Sequence, residues 1–216
     1  RIVRDARRRF RRHNAAHRFV ETEVISAMIA SSRNPDADID TLRDSLRDIP
    51  EFRATLARMW PMLVPAELLH DLFGSAALVK SAAKDEFSEE EYECLVRGRS
   101  NSIAEVLWSD SDVALLDEAL ALLGPRPRKN GKIDETDEVR VFGHIVIDEV
   151  QDLTPMQLRM ASRRSLSGAM TVVGDLAQAT GPFAPNDWSD LLQYLPTKRE
   201  QEVIGLTVGY RIPAQI

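Results

Sequence analysis

Between about residues 14 and 124 the apolar side chains recur three and four positions apart, as in Phe19, Val20, Val24, Ala27 and Met28, then Leu42, Leu46 and Ile49. With 3.6 residues to a turn, that spacing lines one face of an α-helix, so the first half of the chain reads as almost entirely helical. The breaks fall at Asn34-Pro35-Asp36, Ile49-Pro50, Trp60-Pro61 and Val64-Pro65, because proline lacks a backbone donor and clashes with a preceding turn. Short helices are expected over about 66–73, 88–96 and 112–123, the second opened by Ser88 with Glu91 three positions on, the pattern of a capping box.

The pattern changes after Gly124. Residues 124–132, Gly-Pro-Arg-Pro-Arg-Lys-Asn-Gly-Lys, combine helix breakers with charge and read as a surface connector. Beyond it, 139–147 is β-branched and apolar, 156–163 is amphipathic at helical spacing, 170–173 reads as a short buried strand, and 203–206 as a further one. Strand, helix and strand joined by short links imply right-handed parallel crossovers in an α/β sheet. The chain therefore divides into a mainly helical part at 1–125, a connector at 126–138 and an α/β part at 139–216.

Composition narrows the picture. At 216 residues and 44% hydrophobic content the chain can bury a core. With 28 Lys+Arg against 34 Asp+Glu, no global field draws it to nucleic acid or to an anionic membrane. One local exception is the start, where Arg1, Arg4, Arg7, Arg8, Arg9, Arg11, Arg12 and Arg18 are opposed only by Asp5. Both a solvated helix face and a patch that contacts phosphate or a partner fit that stretch. Cys94 is the only cysteine, which excludes an intrachain disulfide and a cysteine-based zinc cluster; a buried thiol in a reducing cytosol is expected. No apolar run approaches the roughly 20 residues of a membrane span, and the arginine-rich start lacks the apolar core of a signal peptide. The first residue is Arg rather than Met, so the sequence reads as an excerpt of a longer, cytoplasmic protein, monomeric as a fragment.

In open parallel sheets ligands bind beyond the carboxyl ends of the strands. Here those positions hold Asp148-Glu149-Val150-Gln151-Asp152 and Gly174-Asp175-Leu176-Ala177-Gln178. An apolar strand fixing two adjacent acids suits a magnesium nucleotide site: one acid holds the hydrated ion while its neighbour takes a proton from the attacking water. Gly174 permits close backbone approach, and Gln178 offers an amide that can hold a water or phosphate oxygen without adding charge. Gly209-Tyr210-Arg211 follows the last apolar run, pairing a guanidinium for transition-state charge with a ring able to stack on a base.

These three elements, in this order, resemble the superfamily 1 helicases of UvrD/Rep type: DEVQD at 148–152 is similar to their Walker B motif, VVGDLAQ at 172–178 to motif III, and GYR at 209–211 to motif IV. The resemblance implies part of a RecA-like P-loop NTPase parallel sheet at 139–216, with 1–125 a large all-helical insertion. It implies ATP and Mg2+ as cofactors, Asp148 as the magnesium ligand, Glu149 as general base, Gln178 as γ-phosphate sensor, Tyr210 stacked on adenine and Arg211 as arginine finger. Gln151, Asp152 and Asp175 would couple the nucleotide site to its surroundings. Runs at 60–69, 115–124 and 171–188 are similar to the HelD branch, particularly its actinobacterial members, which associate with RNA polymerase.

Two departures from the family qualify that expectation. The phosphate-binding loop G-x-x-x-x-G-K-[ST] occurs nowhere in the sequence, so the fragment alone is not expected to hydrolyse ATP, and the loop is expected upstream in the parent protein. Motif III continues into Ala179-Thr180-Gly181-Pro182-Phe183 instead of aromatic residues that stack on single-stranded bases, which weakens the case for unwinding. Phe183 and Trp188 remain as stacking platforms or, the preferred reading, as packing under the loop. Trp60 reads as packing between helices, His144 as a core or strand-end histidine, and the acidic run 85–91 as a solvated helix start. Two functions stay open: a helicase or translocase acting on single-stranded or duplex DNA, and an ATP-driven factor that remodels RNA polymerase.

Overall fold

Single side chains decide where most of the helices of the first 139 residues begin. The computed structural model describes residues 1–32, 38–84, 86–126, 138–181, 183–196 and 200–206, and contacts divide the chain into two units, Arg1–Val139 and Arg140–Ile216. In the first unit the order is α1 (Ile2–Arg9), a 3-10 turn at Asn14–Ala16, α2 (His17–Ser31), α3 (Ile39–Arg47), α4 (Pro50–Met59), α5 (Pro65–Phe73), α6 (Ala76–Ala83), α7 (Glu89–Leu95), a second 3-10 turn at Ile103–Glu105, and α8 (Asp110–Leu123). Pro50 and Pro65 stand in the first turns of α4 and α5, where the missing N–H has no intrahelical acceptor to lose. Asp38 and Ser75 accept from the backbone N–H groups of Thr41 and Leu78, and Ser88 and Glu91 form the expected capping box. Asn34-Pro35-Asp36 lies outside the described residues.

Two apolar clusters organise this unit. Ala6, Ala16, Val20, Leu56 and Trp60 bring α1, α2 and α4 together, and Ile25, Ile29 and Leu46 seat α3 on α2. Trp60 is 4% exposed, stacked on His13 with ring centroids 4.5 Å apart, and its indole N–H donates to the His13 carbonyl at 2.9 Å. Beside it the buried amide of Asn14 donates to the carbonyls of Leu63 and Gly124 at 3.0 and 2.8 Å and accepts from the Leu63 N–H at 3.1 Å. One side chain thus ties the turn before α2 to the segment before α5 and to the end of α8, with no donor left unsatisfied. Cys94 corrects the sequence reading, because its thiol is exposed. The seven-residue α7 buries only Tyr92, and a residue two positions further sits about 200° round the helix, on the opposite face.

Asp112 anchors the first turn of α8. Its side chain is 2% exposed; it accepts two hydrogen bonds from the Arg97 guanidinium, at 3.0 and 2.7 Å, and two from the Ser109 N–H and hydroxyl, both at 2.9 Å. The Arg97 hydrogen bond above all, helped by the Ser109 donors and opposed by burial, holds its pKa at about 2 against an ordinary 3.8. A folded value below the unfolded one gives stability that is complete above the unfolded value and lost as pH falls through the folded one. Asp112→Asn should therefore cost about 1–2 kcal/mol at neutral pH. The gap to the parent chain, followed by denaturant titration, should close between pH 3.8 and about 2.

The second unit contains β1 (Ile145–Ile147), a 3-10 turn at Val150–Asp152, α9 (Pro155–Arg163), β2 (Met170–Val172), a 3-10 turn at Leu176–Gln178 and α10 (Trp188–Leu192). The strands pair in parallel, Ile145 with Met170, Val146 with Thr171 and Ile147 with Val172. The second unit thus has a β-α-β arrangement, the first is mostly helical, and the sheet described is two-stranded. Ile147, Val150, Leu158 and Leu191 form its core, with Trp188 packed against them. The other sheet face is open, Val146 being 68% exposed.

The strands are shorter than the sequence suggests. Of 139–147 only the last three residues join the ladder; Phe142 makes a single bridge to Ser165, and Val139, Val141 and Phe142 are exposed. Residues 203–206 form no strand, and Val203, Ile204 and Leu206 are exposed. Apolar β-branched sequence becomes strand only where a neighbour supplies a run of hydrogen bonds; before β1 the described pairing is limited to Phe142, which donates to the Arg164 carbonyl and accepts from the Leu166 N–H, and at 203–206 no strand pairing is described. Phe183 is another correction: at 61% exposed it does not pack under its loop. Among the described residues no helix is long and apolar enough to cross a membrane.

Candidate functional site

Parallel pairing brings the carboxyl ends of β1 and β2 side by side, which is what places the two sequence motifs together. The ladder runs past the strands: the Val173 N–H donates to the Ile147 carbonyl at 2.8 Å and the Val150 N–H to the Val173 carbonyl at 3.1 Å. Between these contacts the chain leaves β1 through Asp148 and Glu149, and β2 through Gly174 and Asp175. Thr154 then begins α9, its hydroxyl accepting from the Gln157 N–H while the Gln157 side chain accepts from the Thr154 N–H. That Thr-x-x-Gln capping box was legible in the sequence and was not singled out there.

Glu149 is the conformational outlier of the turn. Its backbone is left-handed, with φ 49° and ψ 45°, a region that costs a residue bearing a Cβ about 1–2 kcal/mol. The surroundings hold it there. Gln151, 3% exposed, donates from Nε2 to Glu149 Oε2 at 2.7 Å and accepts the Asp175 N–H at Oε1, 3.1 Å away. One buried amide therefore fixes the carboxylate after β1 and the backbone after β2 at once. Asp148 Oδ1 accepts from the Glu149 N–H at 2.9 Å, while Asp175 accepts from the Ala177 N–H at 3.0 Å and from Gln178 Nε2 at 2.7 Å.

Of the predicted site residues, Asp148, Glu149, Gln151, Asp175 and Gln178 belong to this one network. Asp152 adjoins it through its backbone, its N–H donating to the Glu149 carbonyl at 3.0 Å. Tyr210 and Arg211 lie outside the described residues. Gln151 is the only buried member; Asp148, Glu149, Asp175 and Gln178 are exposed, so the acids face an open surface. Each acid also keeps one carboxylate oxygen outside the hydrogen bonds just described: Oδ2 of Asp148 and Oε1 of Glu149. Such oxygens match the donor chemistry of magnesium, which takes one or two protein carboxylates and fills its remaining positions with water and substrate phosphate. Among the described residues there is no group of three or more His, Cys, Asp or Glu placed to hold a metal unaided. His144, just before β1, contacts the Thr171 hydroxyl at 2.9 Å and is a strand-end residue.

The glycine after β2 is required by this geometry. A Cβ at Gly174 would run into Gln151 Oε1, with Val150 Cγ1 at 2.8 Å and the Val150 backbone nitrogen at 3.2 Å, whereas one at Gly143 would meet nothing within 4 Å. Gly174→Ala should displace the Gln151 amide and cost about 1–3 kcal/mol. Gly143→Ala serves as the control and should leave the denaturation midpoint within about 0.5 kcal/mol. Equal midpoints for the two variants would show that the close approach carries no energy.

Comparison with family models returns no match for this chain, and comparison with curated proteins returns none either.

Proposed function

We propose that this chain forms the metal-binding and water-activating half of a nucleotide site in a superfamily 1, RecA-like motor that couples ATP hydrolysis to movement on DNA. The observation that carries the reading is Glu149, held in a left-handed backbone with its carboxylate tethered by the buried Gln151, directly after Asp148 and beside the end of a parallel strand. Backbone strain that its surroundings over-determine is a mark of functional positions. Asp148 would hold Mg2+ through Oδ2, and the ion would supply positive charge to the phosphates. Glu149 Oε1 takes the proton of the attacking water, whose oxygen bonds to the γ-phosphorus as the bond to the bridging oxygen breaks and ADP leaves. Gln178, fixed on Asp175, keeps its carbonyl oxygen for a water at the γ-phosphate. Arg211 and Tyr210 take the arginine-finger and adenine-stacking roles by resemblance alone, and the reading requires a phosphate-binding loop that this sequence does not contain.

A second reading is favoured by one feature. The sequence after Gln178 runs on into Ala179-Thr180-Gly181, where unwinding members of the family it resembles carry base-stacking aromatics, which suits a factor that uses ATP to release RNA polymerase from nucleic acid. Phe183, 61% exposed, supports the DNA reading in return, as a ring available to a base.

The test is steady-state ATPase of the parent protein alone, with single-stranded DNA, and with RNA polymerase. Glu149→Gln should keep binding of a fluorescent ATP analogue while lowering turnover by about 10²-fold or more, since the amide fills the same space and cannot accept a proton. Unchanged turnover removes Glu149 from the role of base. Stimulation by DNA supports the translocase, and stimulation by polymerase alone supports the remodelling factor.

A further inference from the structure

The charge of this chain is segregated to a degree that its net value of -6 hides. Its first 18 residues hold eight arginines and one acid, while the remaining residues hold 20 Lys+Arg against 33 Asp+Glu. The fold sorts this stretch into two faces. Ile2, Val3, Ala6 and Phe10 pack into the cluster with Val20, Leu56 and Trp60, and Arg4, Arg7 and Arg8 are exposed on the other side of α1, followed by exposed Arg11. At 100° per residue, Arg4, Arg7 and Arg8 fall within about 100° of arc. Asp5 pairs with Arg1 at 3.7 Å and Arg9 lies over the Phe19 ring at 5.2 Å. Arg4, Arg7, Arg8 and Arg11 have no carboxylate within ion-pair distance among the described residues.

We propose that the outer face of α1, through Arg4, Arg7, Arg8 and Arg11, is a binding surface for the phosphate backbone of nucleic acid, separate from the strand-end site. Three observations select this occupant. Every cation in the stretch is arginine, whose planar fork binds phosphate oxygens in pairs and is more weakly hydrated than an ammonium. The apolar face of α1 is already packed against the core, Ala6 buried and Ile2, Val3 and Phe10 half-buried, so the helix has little to insert into a lipid surface. No large apolar side chain is exposed before Met28, so α1 itself offers no aromatic or aliphatic anchor of the kind around which protein interfaces concentrate their energy. A surface of unpaired guanidinium groups without an anchor suits a regularly spaced polyanion. The eight residues of α1 span about 12 Å, or three to four phosphate spacings along one DNA strand. Binding here is indifferent to sequence and strongly dependent on salt.

The experiment is fluorescence anisotropy of labelled oligothymidine and of a labelled duplex titrated with the full chain, without nucleotide, from about 50 to about 200 mM salt. The triple variant Arg4/Arg7/Arg8→Gln should bind at least tenfold more weakly at the lowest salt, with a salt slope reduced by about 2–3, whereas the triple Lys variant should keep the parent slope. Circular dichroism and the denaturation midpoint verify folding, and Arg7/Arg11→Gln provides a second, milder variant with a proportionate loss. Unchanged affinity and slope in well-folded Gln variants overturns the proposal. So does equal competition by polyglutamate at matched charge, which would mark an acidic protein as the ligand, or binding to phosphatidylserine vesicles without binding to oligonucleotide. Loss of binding in Phe183→Ala alone would place the contact at the motor and overturn the α1 surface while leaving the motor reading intact; failure of the Glu149 test leaves the α1 surface untouched.

Discussion

The buried amide of Gln151 is the contact on which the strand-end arrangement depends. Its nitrogen holds Glu149 and its oxygen holds the backbone of Asp175, so two turns that leave two different strands are fixed by one planar group. Both ends of the amide are used, so rotating it would set donor against donor and acceptor against acceptor. The left-handed backbone of Glu149 and the bare Cα of Gly174 are the local consequences: the first aims the carboxylate at Gln151, and the second leaves room for the amide to lie between the strands. Charged groups at the site remain at the surface while the neutral group that orders them is inside, which avoids the cost of burying an unpaired charge.

The helical unit uses the same device on a larger scale. Asn14 satisfies three backbone groups from two remote segments, and Trp60 stacks on the neighbouring His13. The cluster around them consumes the apolar side of α1, and that leaves an outward face dominated by arginines. A helix held in this way presents its arginines without first having to order the backbone that carries them, which lowers part of the entropic cost of any contact they make.

Much of this was legible from local sequence. Helix starts at Pro50, Pro65 and Ser88 follow from the chemistry of one or two residues, and the parallel β-α-β order follows from short connections between apolar runs. The positions of Asp148, Glu149, Gly174, Asp175 and Gln178 beyond strand ends were readable for the same reason, since a strand end is a local event. The length of the strands was not, because residues 139–144 and 203–206 have the composition of strand, yet the first pair with a described neighbour only at Phe142 and the second form no described strand pair. Exposure was misread at Cys94 and at Phe183, where residue type favours burial and the short elements around them bury other positions.

The sequence by itself thus determined which chemistry is available: paired acids after one strand, a glycine and an amide after the next, and an arginine-rich opening helix. Periodicity and capping are set within a few residues, so no tertiary knowledge is needed to read them. Only the tertiary structure decided that Gln151 is the buried member that joins the two turns, that Glu149 adopts a left-handed backbone, and that the arginines of α1 are left without acidic partners among the described residues. Each of those depends on residues brought together from distant parts of the chain, and sequence spacing alone does not encode where such residues meet.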